Sequence, residues 1–274
     1  MISFTLMAIA GRELAGYLDT FEIMLYRSIL GFCIVVVVAW SVGTLSQIKT
    51  DRLVLHLVRN LSHFAGQNLW FYAVALIPLS QLFAFEFTTP LWVAVLAPFA
   101  LGEKWTTTRI LACAMGFFGI LLVARPDTSE INSATIAAAL CAVGFAGAAL
   151  ATKRLARHES VTSILFWLTA MQIVLGLLFA GYDGEIRWLS LHTLPWVTLV
   201  GLTGLAAHFC ITNALSIAPA TVVMPLEFLR LPLITVVGFL LYNEPLLFSV
   251  FVGAGIILAA NILNIRAESR AVIR

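Results

Sequence analysis

The sequence predicts an all-α polytopic membrane protein of about ten transmembrane helices, built as two inverted five-helix repeats with a short first helix. Three observations predict it. Hydrophobic residues fill 61% of the 274 positions and charged residues only 11%, against about 25% charged in a soluble domain, so lipid rather than water is the solvent that fits. Apolar runs of the roughly 20 residues needed to span a bilayer follow one another with short polar breaks and leave no stretch for a soluble domain. Finally, the chain matches itself at an offset of 141 residues.

The first apolar run, 2–12, is too short to cross ~30 Å of hydrocarbon at 1.5 Å per residue. Either its leading turns are absent or it is a half-span. Full spans are expected at 21–43, 54–77, 80–101, 107–124, 133–152, 161–181, 194–216, 220–241 and 246–265. Breakers separate them: Arg-Pro-Asp at 125–127, Tyr-Asp-Gly at 182–184, Ala-Pro-Ala at 218–220 and Asn-Glu-Pro at 243–245. The repeats are therefore placed at 1–124 and 133–265, with 266–274 as a cytoplasmic tail. Small residues four apart, such as Gly144 with Ala148, Gly147 with Ala151 and Gly255 with Ala259, would let helices approach closely in lipid.

Loop charges set the orientation. With a cytoplasmic N-terminus the inner segments hold ten basic residues (Lys49, Arg52, Lys104, Arg109, Lys153, Arg154, Arg157, Arg266, Arg270 and Arg274) and the outer segments only Arg12, Arg125 and Arg187. That bias places both termini in the cytoplasm, in a plasma (inner) membrane. A net charge of +2 spread over short loops gives no support to a nucleic-acid partner. Cys33, Cys113, Cys141 and Cys210 lie in apolar stretches at unrelated spacings, so they read as packing residues and no metal site or cofactor is expected.

The self-match aligns Arg12 with Lys153, Ala73 with Ala214, Pro78 with Pro219, Glu86 with Glu227, Phe87 with Phe228 and Glu103 with Glu244. Pro and Glu are the residues least expected to coincide by chance in apolar helices. Five spans per half reverse direction across the membrane, so the halves must be inverted, an arrangement that places a binding site near the midplane between them.

A charge in mid-bilayer is costly and should face the bundle interior. Glu86 sits in the fourth span, Glu227 in the equivalent place of the ninth, and Arg230 one turn on from Glu227. Arg27 lies in the second span. The third carries Arg59 and the stripe His63, Gln67 and Trp70, while His208 and Asn213 offer polar groups in the eighth. These ten residues are the candidate substrate-binding set; none is expected to be catalytic. Three arginines against two glutamates favour an anionic or zwitterionic substrate. Two other readings remain: Glu227 pairs with Arg230 within one helix, or Arg27 and Arg59 reach out to headgroups. Glu86 and Glu227 are also candidates to carry protons as the coupling ion, since low dielectric penalises a charged carboxylate. Glu103 and Glu244 close their spans and read as helix-end or loop contacts rather than substrate ligands.

Several of these stretches resemble a known family. Ala-Val-Ala-Leu-Ile-Pro-Leu-Ser at 73–80, Glu-Phe-Thr-Thr-Pro-Leu-Trp at 86–92 and Leu-Gly-Glu at 101–103 are similar to the EamA-type branch of the drug/metabolite transporter superfamily. Ala-Pro-Ala at 218–220, Glu-Phe-Leu-Arg-Leu-Pro at 227–232, Asn-Glu at 243–244, Tyr-Arg-Ser at 26–28 and Lys-Arg at 153–154 extend the likeness over essentially the whole chain. The resemblance implies ten helices in two inverted repeats, a central cavity by the fourth and ninth helices faced by Glu86 and Glu227, and alternating-access transport of metabolites, amino acids, vitamins or drugs. The short first helix departs from the family pattern. The partners expected are a small-molecule substrate, the lipid bilayer and the proton, in a monomer or homodimer. An intramembrane enzyme finds no G-x-S-x-G or H-E-x-x-H; a passive channel or a non-transporting membrane subunit is the remaining alternative.

Overall fold

Most helix bounds fall close to the breaks between apolar runs. The computed structural model describes residues 2–49, 51–102, 106–124, 132–223, 226, 230–245 and 248–272. In chain order the helices are α1 (Ile2–Leu14), α2 (Thr20–Ser41), α3 (Leu53–Leu76), α4 (Leu79–Glu86), α5 (Thr89–Leu101), α6 (Thr107–Ala124), α7 (Ser133–Leu155), α8 (Val161–Phe179), α9 (Thr193–Ile217), α10 (Ala220–Val223), α11 (Arg230–Tyr242) and α12 (Phe248–Val272). The 141-residue offset recurs in these bounds: α4 and α10 begin at 79 and 220, and α5 and α11 end at 101 and 242.

Among the described residues five spans are long and apolar enough to cross a membrane: α2, α4 with α5, α7, α8 and α9. The 24 residues of α3 are long enough, at about 36 Å, and a run of polar residues lowers their hydropathy. Large apolar side chains such as Trp40, Phe99 and Leu178 stand open on the outside of the bundle, the surface a lipid-solvated protein presents.

The fourth span departs from expectation: it is not one helix over 80–101 but two half-helices, α4 and α5, parted at Phe87 and Thr88. Pro90 is the cause. It has no N–H to give the Glu86 carbonyl four residues back, and that carbonyl accepts instead from Thr89 Oγ1 at 2.5 Å. In the ninth span the described α-helical stretches are α10 and α11. The segment from 266, expected as a tail, remains helical in α12 as far as Val272.

A capping box starts α2. Asp19 Oδ1 accepts from the N–H groups of Phe21 and Glu22, and Glu22 Oε2 accepts from the Asp19 N–H, which satisfies donors left open at a helix start. Glu22 also accepts from the Arg187 N–H and so ties this end of α2 to the loop after α8.

The main packing partners are α3 with α7, α1 with α9, α2 with α8 and α6 with α12. The 141-residue offset exchanges the first two pairs and maps each of the last two onto itself. α3 and α7 run antiparallel, linked by Arg59 to Thr152 at one end and Tyr72 to Ser133 at the other.

Inversion shows at two basic helix ends. Arg12 donates from Nε to the Val74 carbonyl at 2.9 Å and from Nη2 to the Ile77 carbonyl, closing the last turn of α3. Lys153 donates to the Leu215 and Ala218 carbonyls, both at 2.7 Å, closing the last turn of α9. The two clamps are repeat equivalents at opposite ends of the α3–α7 pair.

Close approach of α3 and α7 depends on Gly66 and Gly144. A Cβ on Gly144 would stand 2.8 Å from the Gly66 Cα and from the Ser62 carbonyl oxygen, both backbone atoms. On Gly147 it would meet only the Ser62 side chain, at 3.1 Å, and on Gly255 nothing within 4 Å. Gly144→Ala is therefore expected to destabilise the detergent-purified protein by about 1–3 kcal/mol, Gly147→Ala by less and Gly255→Ala not at all. Thermal melts of the three variants check the order, and an equal loss at Gly255 would contradict it.

Candidate functional site

A cavity of about 750 Å³, counting the space at its mouth, lies among α1, α3, the α4–α5 break, α7 and α9. α3 supplies Arg59, His63, Gln67 and Trp70, spaced by four, four and three residues along one helix face. Opposite them stand Phe145 and Thr152 of α7 and His208, Ile211 and Thr212 of α9. Phe4 and Met7 of α1 and Glu86, Phe87 and Pro90 at the break complete the wall. Alanines 148 and 149 of α7 leave the space that larger residues would fill.

Glu86 is the last residue of α4 and Arg230 lies in α11, and they pair across the two halves. The Glu86 carboxylate sits at the helix end its own dipole disfavours, and Arg230 offsets its charge. Trp70 Nε1–H donates to the second Glu86 oxygen at 2.7 Å. The Arg230 guanidinium, 1% exposed, lies 4.6 Å from the ring centres of Phe4 and Phe83 and 5.4 Å from that of Phe87. Aromatic faces of this kind stabilise a desolvated cation.

Six of the ten candidate residues thus line one cavity: Arg59, His63, Gln67, Trp70, Glu86 and His208. Arg230 joins them through its bond to Glu86. Arg27 sits behind, in a small side chamber that His208 also lines. Gly204 makes room for it, since a Cβ there would stand 3.1 Å from Arg27 Nη2. Arg27 and Arg59 are 7% and 2% exposed, so neither reaches out to headgroups as one reading had it. Asn213 does not line the cavity; its amide donates to the Phe209 carbonyl. Glu227, with its in-helix pairing to Arg230, and Glu103 lie outside the described residues. Glu244 is a helix-end contact: it accepts from the Leu79 N–H at the start of α4 and from Arg12 Nη1 at 2.5 Å.

The apolar and hydroxyl wall was absent from the candidate set. Thr152 and Thr212 carried a readable signal, since Thr212 is one turn on from His208 and Thr152 precedes the Lys153 already matched to Arg12. A second polar group, His56, bonds Glu159 at 2.7 Å with both nearly fully buried. Glu159 in turn accepts from Ser163 Oγ at 2.8 Å. This group ties α3 to α8, as do Asn60 and Gln172, bonded at 3.0 Å, and none of the four lines the cavity.

Comparison with known proteins adds a family. The sequence pattern of the EamA-like transporter family matches residues 1–125 and again 132–266. An S-adenosylmethionine uptake transporter of Rickettsia bellii is 26% identical over 99% of this chain and 92% of its own. A riboflavin transporter of Brucella anthropi is 28% identical over 81% of this chain and 80% of its own. A protein of known crystal structure superposes on 98% of this chain and 97% of its own with a TM-score of 0.70 at 16% identity, a likeness of fold alone.

Proposed function

This chain belongs to the EamA-like transporter family, and from that premise we propose that it is a secondary transporter of a small organic metabolite, working by alternating access around the cavity between its repeats. One observation carries the proposal: the cavity is lined by residues of both halves, and Glu86 on its wall bonds Arg230 of the other half, so moving one half against the other must remake its walls. The relatives named for S-adenosylmethionine and riboflavin support a solute with a planar ring system, and Trp70, Phe87 and Phe145 offer it aromatic surface. The loop charges favour an inner-membrane protein with both termini in the cytoplasm. That orientation puts Arg12 and Glu244 on the outer side, where their bond joins the halves and serves as the outer gate. Glu86, with Glu227, is the proposed site of proton coupling.

Counterflow in proteoliposomes tests the carrier reading. Fractions of a metabolite extract that stabilise the purified protein against heat supply the solute. Preloading the vesicles with that solute is expected to stimulate uptake of its labelled form several-fold; uptake indifferent to preloading would identify a passive pore and end the reading.

A further inference from the structure

The cavity contains more hydrogen-bond donors and positive charge than its own residues use. Arg59 donates from Nε to Thr152 Oγ1 at 3.3 Å and from Nη1 to Asn60 Oδ1 at 3.2 Å, both neutral acceptors. Arg27 reaches only the Met24 sulfur, at 3.8 Å. Among the described residues neither guanidinium meets a carboxylate. The buried carboxylates are engaged elsewhere: Glu86 with Arg230 and Trp70, Glu159 with His56 and Ser163, Glu22 with two backbone N–H groups.

Beside Arg59 the orphan groups gather. Among the described residues, both ring nitrogens of His63, Nε2 of Gln67 and Nε2 of His208 have no hydrogen-bond partner, although the three side chains are 2%, 2% and 8% exposed. The two imidazoles stand 4.6 Å apart, edge to face, and the positive fields of Arg27 and Arg59 both act on them. A buried donor left unsatisfied is costly, and so is an unpaired buried charge. A ligand that brings acceptors and negative charge relieves both; a cation relieves neither.

We propose that the transported solute is an organic anion whose carboxylate or phosphate seats between Arg59, His63 and His208 with Gln67 at its edge, and whose ring lies toward Trp70. This rests on the carrier reading and adds the charge of the cargo. It separates the chain from a transporter of S-adenosylmethionine, which is a net cation at neutral pH.

Binding to the purified full-length protein tests it, with benzoate, phenyl phosphate and benzylammonium as matched probes that differ in the charged group. Benzoate or phenyl phosphate is expected to raise the melting temperature at millimolar concentration and benzylammonium to leave it unchanged. The two anions together distinguish a carboxylate site from a phosphate site. Arg59→Gln is expected to weaken anion binding about ten- to a hundredfold, and Lys49→Gln, in a loop, to leave it as it is. Equal shifts from anions and cation, no shift from either anion, or an anion shift that survives in Arg59→Gln would each overturn the proposal. The comparison of anion with cation on the unaltered protein decides the matter even if Arg59→Gln fails to fold. Because the readout is binding, anion binding without counterflow would sink the carrier reading alone, and counterflow of S-adenosylmethionine would sink this one alone.

Discussion

Glu86→Gln is expected to cost the protein both stability and transport. The substitution removes the carboxylate that Arg230 bonds across the halves, at a site where the guanidinium is 1% exposed. Removing one partner of a buried pair typically costs about 3–5 kcal/mol, so the melting temperature should fall markedly and counterflow drop at least tenfold. Arg230→Gln should do the same. The double variant, which buries no unmatched charge between these two positions, should lose less than the sum of the single variants, as coupled residues do. Wild-type melting and full counterflow in Glu86→Gln would show that the pair neither holds the halves together nor takes part in the cycle.

Glu244→Gln is expected to loosen the closure at the Arg12 end. The Glu244 carboxylate holds Arg12 and the first N–H of α4 at once, and hydrogen bonds to charged groups contribute about 1.5–3 kcal/mol each. Losing the charge should raise the open population about ten- to a hundredfold. Met7, 3% exposed and on the cavity wall, is the reporter. In Met7→Cys, a membrane-impermeant maleimide applied from the Arg12 side should label slowly, and the added Glu244→Gln should speed labelling at least tenfold. Arg12→Gln should act in the same direction. Unchanged labelling in both would mean that the bond between the halves is not a gate.

Much of the fold was legible because the repeat constrains it twice. Spacing alone aligned Arg12 with Lys153, and the structure gives them one job at opposite ends of the bundle. The break in the fourth span was harder to read, since hydropathy runs evenly from Leu79 to Leu101. Pro90 was the local signal, and its effect falls four residues back, on the Glu86 carbonyl. In the site, α3 was readable because its polar residues repeat on one face. Asn213 was grouped with His208 by polarity, yet five residues turn a helix by roughly 140°, so it points away while Ile211 and Thr212 line the wall. Nor could any local pattern place Arg230 beside Glu86: the pair joins residues 144 positions apart and forms only when the two halves meet.

The clamps on α3 and α9 have a mechanical consequence. Each lies just before a proline, Pro78 or Pro219, where the chain turns into the next helix. In hydrocarbon a bare peptide carbonyl costs several kcal/mol, so an ordinary elbow in oil would resist bending. Here a long flexible cation follows the carbonyls at the elbow and keeps them insulated while the joint turns. On the alternating-access reading, Pro78 and Pro219 are two sealed joints at opposite ends of the bundle, where the chain can turn without baring those carbonyls.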